Sequence, residues 1–160
     1  VGVIPGLAAE SRSTLVGVRD PESAAAKAGI QTLDLITSIN GRKISYWRNL
    51  NQTLFEEMTK SQEPLKIEVR DIQKDDKPEN LRVVSVNVPT GWNEKTDLVT
   101  WLGLEPAELY IYQIKKKSPA DLAGIQARDR VLRLDGQDVN SWNDVLTKVK
   151  SFDTAKESLT

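Results

Sequence analysis

The chain has 160 residues, 39% hydrophobic and 28% charged, with 22 Lys and Arg against 23 Asp and Glu. That length allows one ordinary domain or two small ones, the composition is globular, and a net charge of −1 gives no sign of a nucleic-acid partner. Cys and His are both absent, which removes disulfides, thiol nucleophiles, Ser-His-Asp catalysis, HExxH zinc sites and His-based pH switching from this chain.

The first residues, Val1-Gly2-Val3-Ile4-Pro5-Gly6, have no Met, no basic n-region and no apolar h-region, so they do not read as a signal peptide. No stretch approaches the ~20 apolar residues of a membrane span. The piece reads as a soluble segment excised from a longer chain. The lack of Cys fits an exported bacterial-type domain.

Leu15 to Val18 forms a short apolar strand. Asp20-Pro21-Glu22-Ser23 is a turn, with Ser23 as N-cap of an Ala-rich helix that Gly29 stops. Asp34 to Ile39 alternates as a strand, and Asn40-Gly41 is a hairpin signal. After a brief return at Lys43-Ile44, Trp47, Leu50, Leu54 and Met58 mark one face of an amphipathic helix. Leu65, Ile67 and Val69 alternate with Lys66, Glu68 and Arg70 in a half-buried strand. A polar tip at Asp75-Asp76-Lys77-Pro78 leads to a returning strand with Val84, Val86 and Val88, which Pro89-Thr90-Gly91 ends.

Much of this recurs at an offset of 95. Ser23 to Gln31 maps onto Ser118 to Gln126, Asp34 onto Asp129, Ile36 onto Val131 and Ile39 onto Leu134. Asn40-Gly41 maps onto Asp135-Gly136, Ile44 onto Val139 and Trp47 onto Trp142. A period this long means two copies of one small domain rather than a solenoid. The second helix carries Trp142, Val145, Leu146 and Val149. The pattern sets a first domain at 1–92, a connector at 93–97 and a second domain at 98–160. The second copy's two closing strands would have to come from outside the segment.

Two such units, each with the phrase Ser-x-Ala-x-x-Ala-Gly-Ile, a strand and Asn-Gly or Asp-Gly, resemble PDZ domains. Gly2 in Val1-Gly2-Val3-Ile4 and Gly103 in Trp101-Leu102-Gly103-Leu104-Glu105 resemble the family's carboxylate-binding loop. The resemblance implies an α+β, mainly β fold: two circularly permuted bacterial-type PDZ domains, partly open β-barrels each with a short and a long helix. It implies that a peptide C-terminus adds a strand between a sheet edge and the long helix, its carboxylate on backbone N–H groups. The implied peptide-binding residues are Val1, Gly2, Val3, Ile4, Asn49, Leu50, Thr53 and Leu54 in the first copy. In the second they are Leu102, Gly103, Leu104, Glu105, Asp144, Val145, Lys148 and Val149. Each apolar residue among them is equally what a core needs. Pro5 and Pro106 follow the loops and lack the N–H that strand addition uses.

Trp47 and Trp142 at the start of the long helices, the Trp101 to Pro106 stretch and the repeat spacing resemble the extracytoplasmic PDZ pair of bacterial site-2 proteases, regulator-of-sigma-E-like intramembrane zinc metalloproteases. The resemblance implies a non-catalytic segment at the periplasmic face of an inner-membrane protein. It would screen or bind substrates such as trimmed anti-sigma factors, with the zinc and its HExxH motif elsewhere in the parent. Its partners would be peptide or protein substrates, a free C-terminus among them, and the membrane-embedded core of the same chain. The alternatives are the PDZ pair of an HtrA-type serine protease, suggested by Ala-Lys-Ala-Gly-Ile at 26–30, and a non-catalytic PDZ adaptor. Lys115-Lys116-Lys117 reads as a solvated edge guard. The acidic cluster at Asp71, Asp75, Asp76 and Glu79 lacks the spacing of a calcium loop.

Overall fold

A computed structural model describes residues 13–74 and 80–157. The first copy runs β1 (Leu15–Val18), α1 (Ala24–Lys27), β2 (Asp34–Ile39), β3 (Arg42–Lys43), α2 (Arg48–Lys60), β4 (Leu65–Asp71) and β5 (Leu81–Val86). It continues into α3 (Leu98–Trp101) and β6 (Leu104–Pro106). Ser23 begins α1 as its residue type predicts, its Oγ accepting the Ala26 N–H at 3.2 Å. The Asn40-Gly41 turn takes φ of +49° and +80°, the geometry that a two-residue hairpin demands and that Asn and Gly tolerate.

The strands form an open antiparallel sheet in the order β5-β4-β2-β1-β6, with β3 beside β2. Ile67 of β4 lies opposite Ile39 of β2 and Val84 of β5, so the period-2 pattern puts Leu65, Ile67 and Val69 inside and Lys66, Glu68 and Arg70 on the other face. Leu50, Leu54 and Met58 of α2 pack into the same core. Each such burial is worth about 1.5–3 kcal/mol relative to exposure. Three carboxylates, Asp34, Glu57 and Asp71, are buried in this unit. Asp34 is fully buried, with Arg82 Nη2 of β5 at 2.6 and 2.7 Å and the Gln31 N–H at 2.8 Å. Arg82 Nη1 also donates to the Gly29 carbonyl.

The second copy contains α4 (Pro119–Leu122), β7 (Arg133–Leu134), β8 (Gln137–Asp138) and α5 (Trp142–Glu157). Leu109, Val139 and Val145 form its buried cluster, with Val131 and Leu134 against them. The alternating strand of the first copy is reduced here to β7, two residues long, because among the described residues no strand equivalent to β4 pairs with it.

The chain divides into compact units at Val1–Ala107 and Glu108–Thr160. The sequence pattern sets the second domain to start at 98; in the structure, residues 98–107 belong to the first unit. The reason is packing. Leu98, Val99, Leu102 and Leu104 complete the first core, and β6 pairs with β1, Leu104 opposite Val18 and Pro106 opposite Val16.

Candidate functional site

The Leu98–Pro106 segment is fastened at both ends. Asp97 caps α3, its Oδ1 accepting the Thr100 N–H at 3.3 Å. Asn51 of α2 reaches across so that its Oδ1 accepts the Leu98 N–H at 2.6 Å. The turn closes with Leu102 N–H on the Leu98 carbonyl at 3.0 Å and Gly103 N–H on the Thr100 carbonyl at 2.9 Å. Gly103 has φ +87°, and a Cβ there would stand 2.1 Å from Ser23 Cβ. The Leu102 carbonyl accepts the Ala25 N–H at 3.0 Å. The glycine is therefore required by a close approach to the start of α1. Two backbone N–H groups of the Leu102-Gly103-Leu104 loop are already committed to the turn.

The residues expected at two grooves are distributed differently from the sequence pattern. Val1, Gly2, Val3 and Ile4 lie outside the described residues. Leu50 and Leu54, assigned to the first copy, and Leu102 and Leu104, assigned to the second, are all fully buried in one core of the first unit. Thr53 is buried beside them, while Asn49 is exposed on α2. Gly103 and Glu105 stand with the first unit, Glu105 opposite Gly17 of β1. In the second unit Val145 is buried and Val149 is half exposed. Lys148 Nζ donates to Gln137 Oε1. Asp144 holds the start of α5, its Oδ2 accepting the Asn140 and Ser141 N–H groups at 2.8 and 3.0 Å. Those backbone bonds, Asn140 first, hold its carboxyl below the usual range.

A charged lattice joins the hairpin to α2. Glu57, nearly buried, accepts from Lys60 Nζ at 2.6 Å and Asn40 Nδ2 at 3.2 Å, and these two bonds pull its pKa down. Arg42 pairs with Glu56, which also accepts from Gln52 Nε2, and both bonds lower the Glu56 pKa. Asn40 Oδ1 takes the Lys66 N–H of β4 at 2.9 Å. Two clefts flank this lattice. One of about 520 Å³ runs past Met58, Val88, Pro89 and Trp92, where Trp92 meets Phe55 edge to face at 5.9 Å. Another of about 670 Å³ lies over the outer sheet face at Lys66, Glu68 and Val83. Among the described residues no group of three Asp or Glu is placed to hold a metal ion.

The role of Asn51 was not apparent from the sequence. A polar residue next to the Leu50 position of an amphipathic helix was its one signal, and its partner Leu98 is 47 residues away.

Two family models, both described as PDZ domain, match residues 4–70 and 110–156. A protein named as a zinc metalloprotease in Neisseria meningitidis serogroup A is 27% identical over 91% of this chain and 32% of its own length. The regulator of sigma-E protease of Salmonella typhimurium is 26% identical over 85% of this chain and 30% of its own length. The chain thus spans about a third of the curated relatives it matches. The solved HtrA3 PDZ domain bound to a phage-derived ligand is 27% identical, covers 42% of this chain and 54% of its own, and has a TM-score of 0.30.

Proposed function

We propose that this chain, which carries two PDZ domains, is the extracytoplasmic screening segment of a membrane-embedded zinc protease and acts by keeping bulky substrate domains from the protease core. One observation carries the parent assignment. The similarity to the metalloprotease and to the regulator of sigma-E protease runs across both units rather than one. The substrates in this reading are membrane-anchored proteins, anti-sigma factors among them, trimmed beforehand by another protease. Without His or Cys the chain does not fit a catalytic zinc site, so the metal belongs to other parts of the parent. Among the described residues no helix is long and apolar enough to cross a membrane, so the spans also belong there.

Exclusion is favoured over capture because Leu50, Leu54, Leu102 and Leu104, expected to line two ligand pockets, are buried together in one core. The committed N–H groups of Leu102 and Gly103 point the same way. Capture of a C-terminus is the second reading, supported by β6 ending the sheet at its edge. Deleting residues 13–157 from the full parent should admit untrimmed substrates while trimmed ones are still cut. Continued refusal of untrimmed substrates would sink exclusion. Titrating the chain with peptides that carry a free or an amidated C-terminus tests capture, which requires binding that the amide abolishes.

A further inference from the structure

The offset of 95 pairs the turn before α1 with the turn before α4, and the two are opposite in character. The first reads Asp20-Pro21-Glu22-Ser23, with Lys27 ending its helix; the second reads Lys115-Lys116-Lys117-Ser118, with Leu122 ending its helix. The backbone design is shared, since Ser118 Oγ accepts the Asp121 N–H as Ser23 Oγ accepts that of Ala26. The second turn is well fastened. Lys117 N–H donates to Asp121 Oδ2 at 2.7 Å and Ser118 N–H to the Lys115 carbonyl at 3.1 Å. Asp121, the only carboxylate in 115–122, is thus engaged on the backbone.

Lys115, Lys116 and Lys117 are all exposed, and Leu122 is 80% exposed. That exposure belongs to the position. Its counterpart Lys27 keeps 62% side-chain exposure in the first unit, where β4 and β5 complete the sheet. A leucine on a surface position, five residues beyond three lysines, is not a core residue.

We propose that Lys115–Leu122 is a docking tip for an anionic phospholipid surface, the lysines meeting headgroup phosphates and Leu122 entering the apolar boundary beneath them. Lysine favours this over a specific acidic peptide, because ammonium groups are point charges without the planar fork that orients carboxylates. The exposed Leu122 gains only where an apolar layer lies under the charge, as it does at a lipid surface. The first unit, with Asp20 and Glu22 in the matching turn, is the internal contrast. The inference stands on the second unit and needs nothing from the identity of the parent.

The test is sedimentation of the whole 160-residue chain with phosphatidylcholine vesicles, with and without about one-third phosphatidylglycerol, at low and high salt. The chain should bind the anionic vesicles and release at high salt. The triple variant K115Q/K116Q/K117Q should bind about a hundredfold more weakly and Leu122→Gln about tenfold more weakly, with Lys66→Gln unchanged as the charge control. Absence of binding to anionic vesicles, equal binding to both vesicle types, or wild-type binding by the triple variant would overturn the proposal. So would a Leu122→Gln variant that binds as wild type while a soluble polyglutamate peptide competes fully, which would assign the tip to an acidic polypeptide.

Discussion

The two copies share a backbone and differ in what covers it. Leu33 N–H donates to the Val16 carbonyl at 2.8 Å, and Arg128 N–H, 95 residues on, donates to the Ile111 carbonyl at 2.7 Å. Ile36 and Val131 repeat the match on the Thr14 and Leu109 carbonyls. Leu33 and Arg128 even share a positive φ, +71° and +76°. Burial diverges all the same. Ile30 is 2% exposed and Ile125 41%; Leu54 is 1% exposed and Val149 48%. Local sequence is therefore enough to draw the hairpin, the caps and the turns. The dry core comes from β4, β5 and the Leu98–Pro106 segment, which the first unit has and the second lacks among the described residues.

The sharpest way to break this contrast is at its charged pair. Arg82→Ala strands the buried Asp34 carboxylate and should cost the first unit about 3–5 kcal/mol in denaturant unfolding. Asp129, the exposed counterpart of Asp34, accepts the Gln126 N–H at 2.8 Å, a bond that Asn can also accept, so Asp129→Asn should cost the second unit no more than about 0.5 kcal/mol. Core truncation comes next. Leu54→Ala should cost about 2–5 kcal/mol and Val149→Ala less than about 0.5 kcal/mol; equal costs would mean that Val149 is covered. Glycine gives a third comparison. Gly103→Ala combines a positive φ with a collision at Ser23 and should cost about 3 kcal/mol, whereas Gly124→Ala, with open space around it, should cost about 1 kcal/mol. Loss of the Ser23 cap, seen as faster amide exchange at Ala26, would locate the first effect.

Acid gives the smallest effect. The Glu57 carboxyl is held low by Lys60 and Asn40, so its stabilisation is complete above the ordinary glutamate range and disappears as pH falls through the lowered folded value. Glu57→Gln should flatten the acid limb of the first unit's stability. The second unit has Phe152 at that position and should respond to acid through Asp144 alone among these groups, as a loss of the α5 cap.

What the sequence made legible was local. Ser23 and Ser118 cap helices, Asn40-Gly41 turns a hairpin, and Leu65, Ile67 and Val69 face inward, each as its residue type and spacing dictate. The ownership of Leu102-Gly103-Leu104 was not legible. A Leu-Gly-Leu pattern announces a turn and a strand, but the edge it joins depends on β1, some 85 residues earlier, and on Ser23 standing where a Cβ would be. The Arg82–Asp34 pair was hidden for the same reason, because nothing local to either residue names the other. The grouping of the candidate site residues was not legible either. Its residues were assigned by motif to two grooves, and four of its leucines meet in one core.

Amide exchange under native conditions tests the central claim most directly, because the two copies supply matched hydrogen bonds. If covering strands rather than local sequence make the core, the Leu33 and Ile36 amides should exchange at least about a hundredfold more slowly than those of Arg128 and Val131. Equal protection at the two pairs would contradict the account and show that the second unit is as firmly closed as the first.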